Sequence, residues 1–421
     1  MSNVFVASGA ILLALSPTLL PAQNSGYNGE KLGAYFEEWS IYGANYNIAN
    51  VQSSGAAARL TDIYYAFADV TATPSPACVI ADAWADYQDP SLPPTGGIPS
   101  PGPLYGNFEE LLKLKQLNPQ LKVLISLGGS SSANSAAFST AASTPSGRQQ
   151  LVSSCVNMFI TGNIAPGISA AGLFDGIDLD WEFPAAQDTA NYTALVAEFR
   201  SQLRTLGQSN GGVHYLLTAV GPAGSQNYTN QNLSALSQQI DYFNVEGYDY
   251  HGNWETTTNN AAPLLGATAD PSYSEHYWIN ATINAYLSAG VPANKMLLGV
   301  PFYGYGWTGV PSTNAGLYQP STGLAPSPPG DSLATAGEAT YLSLSALTGF
   351  TTFSQNATKA QWIYDAATET FWTFDDPQEL QIKMSYVQQV GLGGAFGWAL
   401  KDDDTNATLV KTMSRVLANG N

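Results

Sequence analysis

The sequence predicts an α/β fold: a (β/α)8 TIM barrel with a small α+β insertion between strands seven and eight. Three observations lead there. Eight short aliphatic and β-branched runs, at 32–36, 61–68, 122–128, 174–182, 214–220, 241–248, 296–303 and 394–400, alternate with longer amphipathic stretches. Such alternation calls for parallel strands joined by helices, and eight strands suit a closed barrel better than a doubly wound sheet. The length of 421 residues, with 44% hydrophobic and 11% charged residues, suits a large globular domain of that kind. Finally, Asp178, Asp180 and Glu182 occupy alternate positions at the end of the fourth run, and barrels place their chemistry at the carboxyl ends of strands.

The elements follow in order. Residues 1–22 carry Ile11-Leu12-Leu13-Ala14-Leu15 and a Pro-broken continuation, which resembles a secretory signal peptide although no Lys or Arg precedes the apolar run. The run is too short to span a membrane comfortably, so an extracellular protein without a membrane partner is expected. The barrel is assigned to 23–306 and 375–421. After strand two, residues 70–106 are rich in Pro and Gly and too long for an ordinary connection, which predicts a rim on the active-site face. Helical spacing appears in Phe108, Leu111 and Leu112, in Leu151, Cys155, Met158 and Phe159, and in Leu195, Phe199, Leu203 and Leu206. Residues 307–374 contain their own β-rich runs, among them Gln361-Trp362-Ile363-Tyr364 and Thr370-Phe371-Trp372-Thr373-Phe374, and read as an inserted domain walling one side of a cleft. A last helix is expected near 404–417, with no separate binding module.

Composition narrows the partners. Lys and Arg total 14 against 32 Asp and Glu, a formal charge of -18, so nucleic acid, anionic membranes and phosphorylated substrates fit poorly. A neutral sugar polymer fits better, and 23 Tyr, 16 Phe and 9 Trp supply flat faces for stacking, beyond those that fill the core. Six Asn-x-Ser/Thr sequons begin at Asn191, Asn227, Asn232, Asn280, Asn356 and Asn406, though roughly five would arise by chance in a chain this rich in Asn, Ser and Thr. Cys78 and Cys155 either pair in an oxidising compartment or stay apart, with Cys155 as a small buried hydrophobe. With three His and no clustered Cys, neither a metal site nor a cofactor is expected.

The acid row carries the chemistry. Alternate side chains of a strand share a face, so Asp178, Asp180 and Glu182 point one way and Ile177, Leu179 and Trp181 the other. Three like charges on one buried face raise one another's pKa and are costly, which makes a packing role a poor explanation. His251 reads as a satisfied structural histidine.

The run Asp175-Gly-Ile-Asp178-Leu-Asp180-Trp-Glu182 resembles the Asp-x-x-Asp-x-Asp-x-Glu signature of glycoside hydrolase family 18, the chitinase family. Ser126-Leu-Gly128-Gly129, Tyr248-Asp249, Gly299-Val-Pro301-Phe-Tyr303-Gly304 and Gly393-Gly394-Ala-Phe-Gly-Trp398 are similar to its motifs on strands three, six, seven and eight. The resemblance covers nearly all of the chain from about residue 31. It implies retaining hydrolysis of β-1,4-N-acetylglucosamine linkages in chitin and chitooligosaccharides, with the substrate's acetamido oxygen as nucleophile. Glu182 would then be general acid and base. Asp180 would orient the acetamide, and Asp178 would hold a proton with Asp180. By the same resemblance Tyr248 positions the acetamide carbonyl, Asp249 contacts the same sugar, Trp398 floors the pocket, Tyr35 lines it, and Ser126 either bonds the carboxylates or packs. Asp175 is expected to be structural, and the protein a monomer.

Two departures from the family pattern stand out. Ser130 replaces the Trp that commonly follows Ser-x-Gly-Gly, which removes a stacking face on the leaving-group side. Glu246 stands where Met is usual and shares parity with Tyr248, so it either enters the pocket and raises the pKa of the Asp180–Glu182 pair or turns to solvent at the rim. The alternatives are a chitin-binding lectin on the same barrel, which typically loses the final acid, and an endo-β-N-acetylglucosaminidase acting on N-glycans.

Overall fold

The computed structural model describes residues 29–419; the stretch 1–22 read as a signal peptide lies outside them. Eight parallel strands, Lys31–Glu37 (β1), Asp62–Thr71 (β2), Lys122–Gly129 (β3), Gly176–Trp181 (β4), Leu216–Gly221 (β5), Tyr242–Val245 (β6), Met296–Pro301 (β7) and Gly394–Trp398 (β8), pair neighbour to neighbour. β8 pairs with both β7 and β1, and β1 pairs with β2, so the sheet closes into the predicted (β/α)8 barrel.

Period-two alternation builds two cores from one set of strands. Outward side chains such as Phe36, Ile63, Val123, Ile177, Leu179, Leu217 and Phe243 are buried with the surrounding helices in the larger core. Tyr35, Tyr64, Leu124, Tyr242, Leu297 and Phe396 point inward and fill the lumen. Close packing there leaves Gly299 no room for a side chain, since a Cβ would lie 2.5 Å from Phe396 and 2.9 Å from Tyr248. Among the described residues no helix is long and apolar enough to cross a membrane.

The Pro- and Gly-rich stretch after β2 is more ordered than its composition implies. β2 runs on to Thr71 and pairs antiparallel with Ala77–Ile80. Cys78 in that short strand is disulfide-bonded to Cys155 at the end of the helix Pro145–Cys155, which resolves the alternative the sequence left open. Further on, the Thr95 N–H donates to Glu110, whose other oxygen pairs with buried Lys113 at 2.7 Å. Side-chain acceptors thus supply the backbone partners that Pro-broken elements cannot.

Between β7 and β8 a second sheet forms, antiparallel, from Tyr303–Thr308, Gly323–Leu324, Glu338–Thr340, Thr351–Gln355, Ala360–Asp365 and Thr370–Phe374. Trp307, Val310, Leu317, Trp362, Tyr364 and Phe371 give it a core of its own. It begins at Tyr303, inside the stretch assigned to the barrel. Phe302 is the junction: its N–H donates to Trp398 of β8, and its carbonyl accepts from Tyr341, which follows the strand Glu338–Thr340. β6 also ends earlier than expected, at Val245, so Glu246 and Tyr248 stand just beyond its ladder, although the Glu246 N–H still bonds Gly221 of β5.

Candidate active site

Strand register sets the depth of each acid. Asp178 pairs across the ladder with Ser126 of β3 and Thr218 of β5, which places all three at one level of the lumen. Its Oδ2 accepts from Tyr35 and Ser126, both at 2.8 Å, and its Oδ1 from Thr218 at 2.5 Å and Asn244 at 3.2 Å. Burial raises this carboxyl above its ordinary value, and the four donors oppose the rise. The charge of Asp178 is among those that act on Asp180, so the two acids are linked electrostatically. Ser126, fully buried, stands behind the acids and not on the cleft wall.

One step up, Asp180 is 3% exposed and its Oδ1 has no hydrogen-bond partner. Burial, then the charges of Glu182, Asp178 and Glu246, push its carboxyl well above the ordinary range. Glu182, just past the end of β4, is raised to about 7, by burial first and then by the charge of Asp249. A carboxylic acid poised there can give a proton and take it back near neutrality. Glu246 does enter the pocket, and burial with the charges of Glu182 and Asp249 raises it strongly, while the Ala223 N–H opposes the rise. The coupling expected on Asp180 is therefore present. On Glu182 it is Asp249 that acts.

Two cavities meet at Glu182, Glu246, Tyr248 and Asp249. The first is also lined by Tyr35, Asp180, Tyr303 and Trp398, with Ser130 at its edge. Burial and the surrounding carboxyls hold the Tyr248 phenol far above its usual value, so it remains a hydrogen-bond donor. Trp398 packs on Tyr35 at 4.9 Å and on Phe67 at 5.8 Å, and Phe67 lies 6.1 Å from Trp39. Trp39 is 40% exposed, so an aromatic path runs from the floor to the surface. The second cavity, about 370 Å³, adds Phe183, Gln226, Trp254 and Tyr277.

The structure brings together all the expected site residues, with Ser126 as a support. It adds four the sequence reading did not single out. Thr218 and Asn244 hold Asp178, and Tyr303 and Tyr305, from the second sheet, donate to Asp249 Oδ1 at 2.5 and 3.0 Å. Parity along the strands 214–220 and 241–248 was the available signal for the first two. Asp175 is engaged by Lys115 and Lys122 at 2.7 and 3.2 Å, away from the row, and His251 is buried between Glu255 and Ser272.

A closed barrel that presents a row of buried acids beside an aromatic floor defines a carbohydrate-cleaving site of the glycoside hydrolase kind. The chain belongs to glycosyl hydrolases family 18, whose sequence model matches residues 31–403. It is 30% identical to chitinase A1 of Niallia circulans over 469 aligned residues, covering 100% of this chain and 63% of that protein. With chitinase C of Streptomyces lividans it shares 32% identity over 91% of this chain and 59% of the relative. It thus spans about three fifths of the length of both. Among solved structures, the catalytic domain of the psychrophilic chitinase B from Arthrobacter TAD20 superposes with a TM-score of 0.86 at 33% identity, covering 94% of this chain and 98% of that one.

Proposed function

We propose that this chain is a secreted chitinase that cleaves β-1,4-N-acetylglucosamine linkages with retention, using the acetamido oxygen of the substrate as nucleophile. The observation that carries this reading is the buried, unpartnered Asp180 Oδ1 in the cavity beside Glu182. A buried acceptor without a donor is costly, and an acetamide N–H supplies the missing partner. Held there, and with its carbonyl oriented by the Tyr248 hydroxyl, the acetamide can close on the anomeric carbon while Glu182 protonates the leaving oxygen. Asp180 then balances the positive charge of the oxazolinium ion, and Glu182 activates the water that opens it. Trp398 offers its face to the distorted ring.

The second sheet, 303–374, is read as the inserted domain, since Tyr303 and Tyr305 reach from it to Asp249. Secretion is supported by the Cys78–Cys155 disulfide and the signal-like N-terminus. Asn232, Asn356 and Asn406, all exposed, are the sequons open to glycosylation, and the protein is taken to act as a monomer.

The test is product analysis on N-acetylglucosamine oligomers for the wild type beside Glu182→Gln, with the anomer of the first product read by NMR. The wild type should release β-anomers, and the variant should lose activity by roughly 10²–10⁴-fold. Binding without hydrolysis by the wild type would make the protein a lectin. Unchanged turnover by the variant would remove Glu182 from its role.

A further inference from the structure

The two cavities that meet at Glu182 differ in what they can hold. Asp180, whose Oδ1 is buried and unpartnered, lines the first, which on the chitinase reading takes the acetamide-bearing sugar. Glu182 delivers its proton to the bond between two sugars, so the second cavity receives the leaving sugar. No Lys, Arg or His lines either one.

Carboxyls do face the second cavity. Glu255 is engaged by His251 at 3.0 Å, and Asp249 accepts from Tyr303 and Tyr305. Glu246 accepts from the backbone N–H of Ala223 and lines both cavities, and Trp254 and Tyr277 also line the second. Its anion is disfavoured by burial and by the negative charges of Glu182 and Asp249. A cation carried by the substrate would relieve that, whereas an N-acetyl group there would not.

We propose that Glu246 selects a de-N-acetylated glucosamine, through its ammonium group, as the leaving sugar. The preferred substrate class is then partly deacetylated chitin, cut between an N-acetylglucosamine and the glucosamine that follows it. The inference rests on the chitinase reading. Hydrolysis breaks the bond from C1 of the reacting sugar to O4 of the leaving sugar, so the selected glucosamine becomes the new non-reducing end.

The test digests half-acetylated chitosan with wild type, Glu246→Gln, Glu246→Met and Glu246→Asp, and sequences the new non-reducing ends by mass spectrometry. Because the ratio of glucosamine to N-acetylglucosamine is read within each variant, overall rate does not enter. Wild type should raise that ratio about three- to tenfold over its value in the polymer. The Gln and Met variants should lose the enrichment, and Asp should keep part of it. Equal ratios in wild type and Glu246→Gln would overturn the proposal. A parallel digest of fully acetylated hexamer by the wild type separates the two readings: cleavage without enrichment on chitosan sinks the role of Glu246 alone, and failure on both substrates sinks the chitinase reading.

Discussion

At the scale of the residue, the state of Glu182 depends on which neighbours are charged. Its acid form is the one that starts the reaction, so kcat/KM should fall as pH rises through about 7, where burial and Asp249 place this carboxyl. Replacing Asp249 with Asn removes the negative neighbour, lowers the Glu182 pKa and moves the basic limb to lower pH. A pH–rate series on one soluble oligomer checks this, and because the limb's position is independent of its height, a weakened variant remains informative; an unmoved or higher limb contradicts the coupling. The acid row itself was legible because strand parity puts Asp178, Asp180 and Glu182 on one face. Asn244 shares the parity of Glu246 and Tyr248 and could have been found by it, whereas Thr218 was not legible, since it is one polar residue in an apolar run and parity alone does not say which face is the lumen. Only the register, Asp178 opposite Thr218, fixes that. Tyr305 was out of reach for another reason, because it comes from a sheet whose docking the sequence does not encode locally, and Tyr303, although part of the strand-seven motif, gave no local sign that it would meet Asp249.

At the scale of the element, the segments leaving β1 and entering the Pro-rich stretch are joined by buried acids. Glu38 is pushed up to about 10 by burial and by Asp86, and Asp86, which accepts from Tyr65 at 2.5 Å, is raised to about 7. Between the ordinary Glu value and about 10, the folded chain therefore holds a proton on Glu38 that the unfolded chain has released. More protons bound in the folded state means stability declines as pH rises across that window. Glu38→Gln keeps a donor but does not titrate, so its urea midpoint should depend less steeply on pH than the wild type's; parallel curves would refute the assignment. The sequence showed the eight strands because their periodicity is local. It concealed the antiparallel strand Ala77–Ile80, which is short, flanked by Pro and recognisable only against the partner it pairs with. The early end of β6 at Val245 was hidden likewise, since Glu246-Gly247-Tyr248 alternates as a strand would.

At the scale of the whole molecule, the disulfide joins residues 77 apart and closes a loop that contains all of β3 and most of the Pro-rich stretch. Closing so long a loop restricts the unfolded chain, and removing the bond in a Cys78→Ser, Cys155→Ser double variant should cost roughly 2–4 kcal/mol. Denaturant titration of both forms measures it, and a midpoint shift near zero would show that the bond adds little. A different constraint binds activity to the fold. The donors on Asp178 come from Tyr35, Ser126, Thr218 and Asn244, carried by β1, β3, β5 and β6, while the acid itself belongs to β4. Five of the eight staves of the barrel therefore meet on a single carboxylate. A chain with any one of them detached leaves that acid short of a partner and the row above it wrongly protonated, so turnover counts closed barrels, and an activity assay doubles as a gauge of how much of a sample has its staves in place.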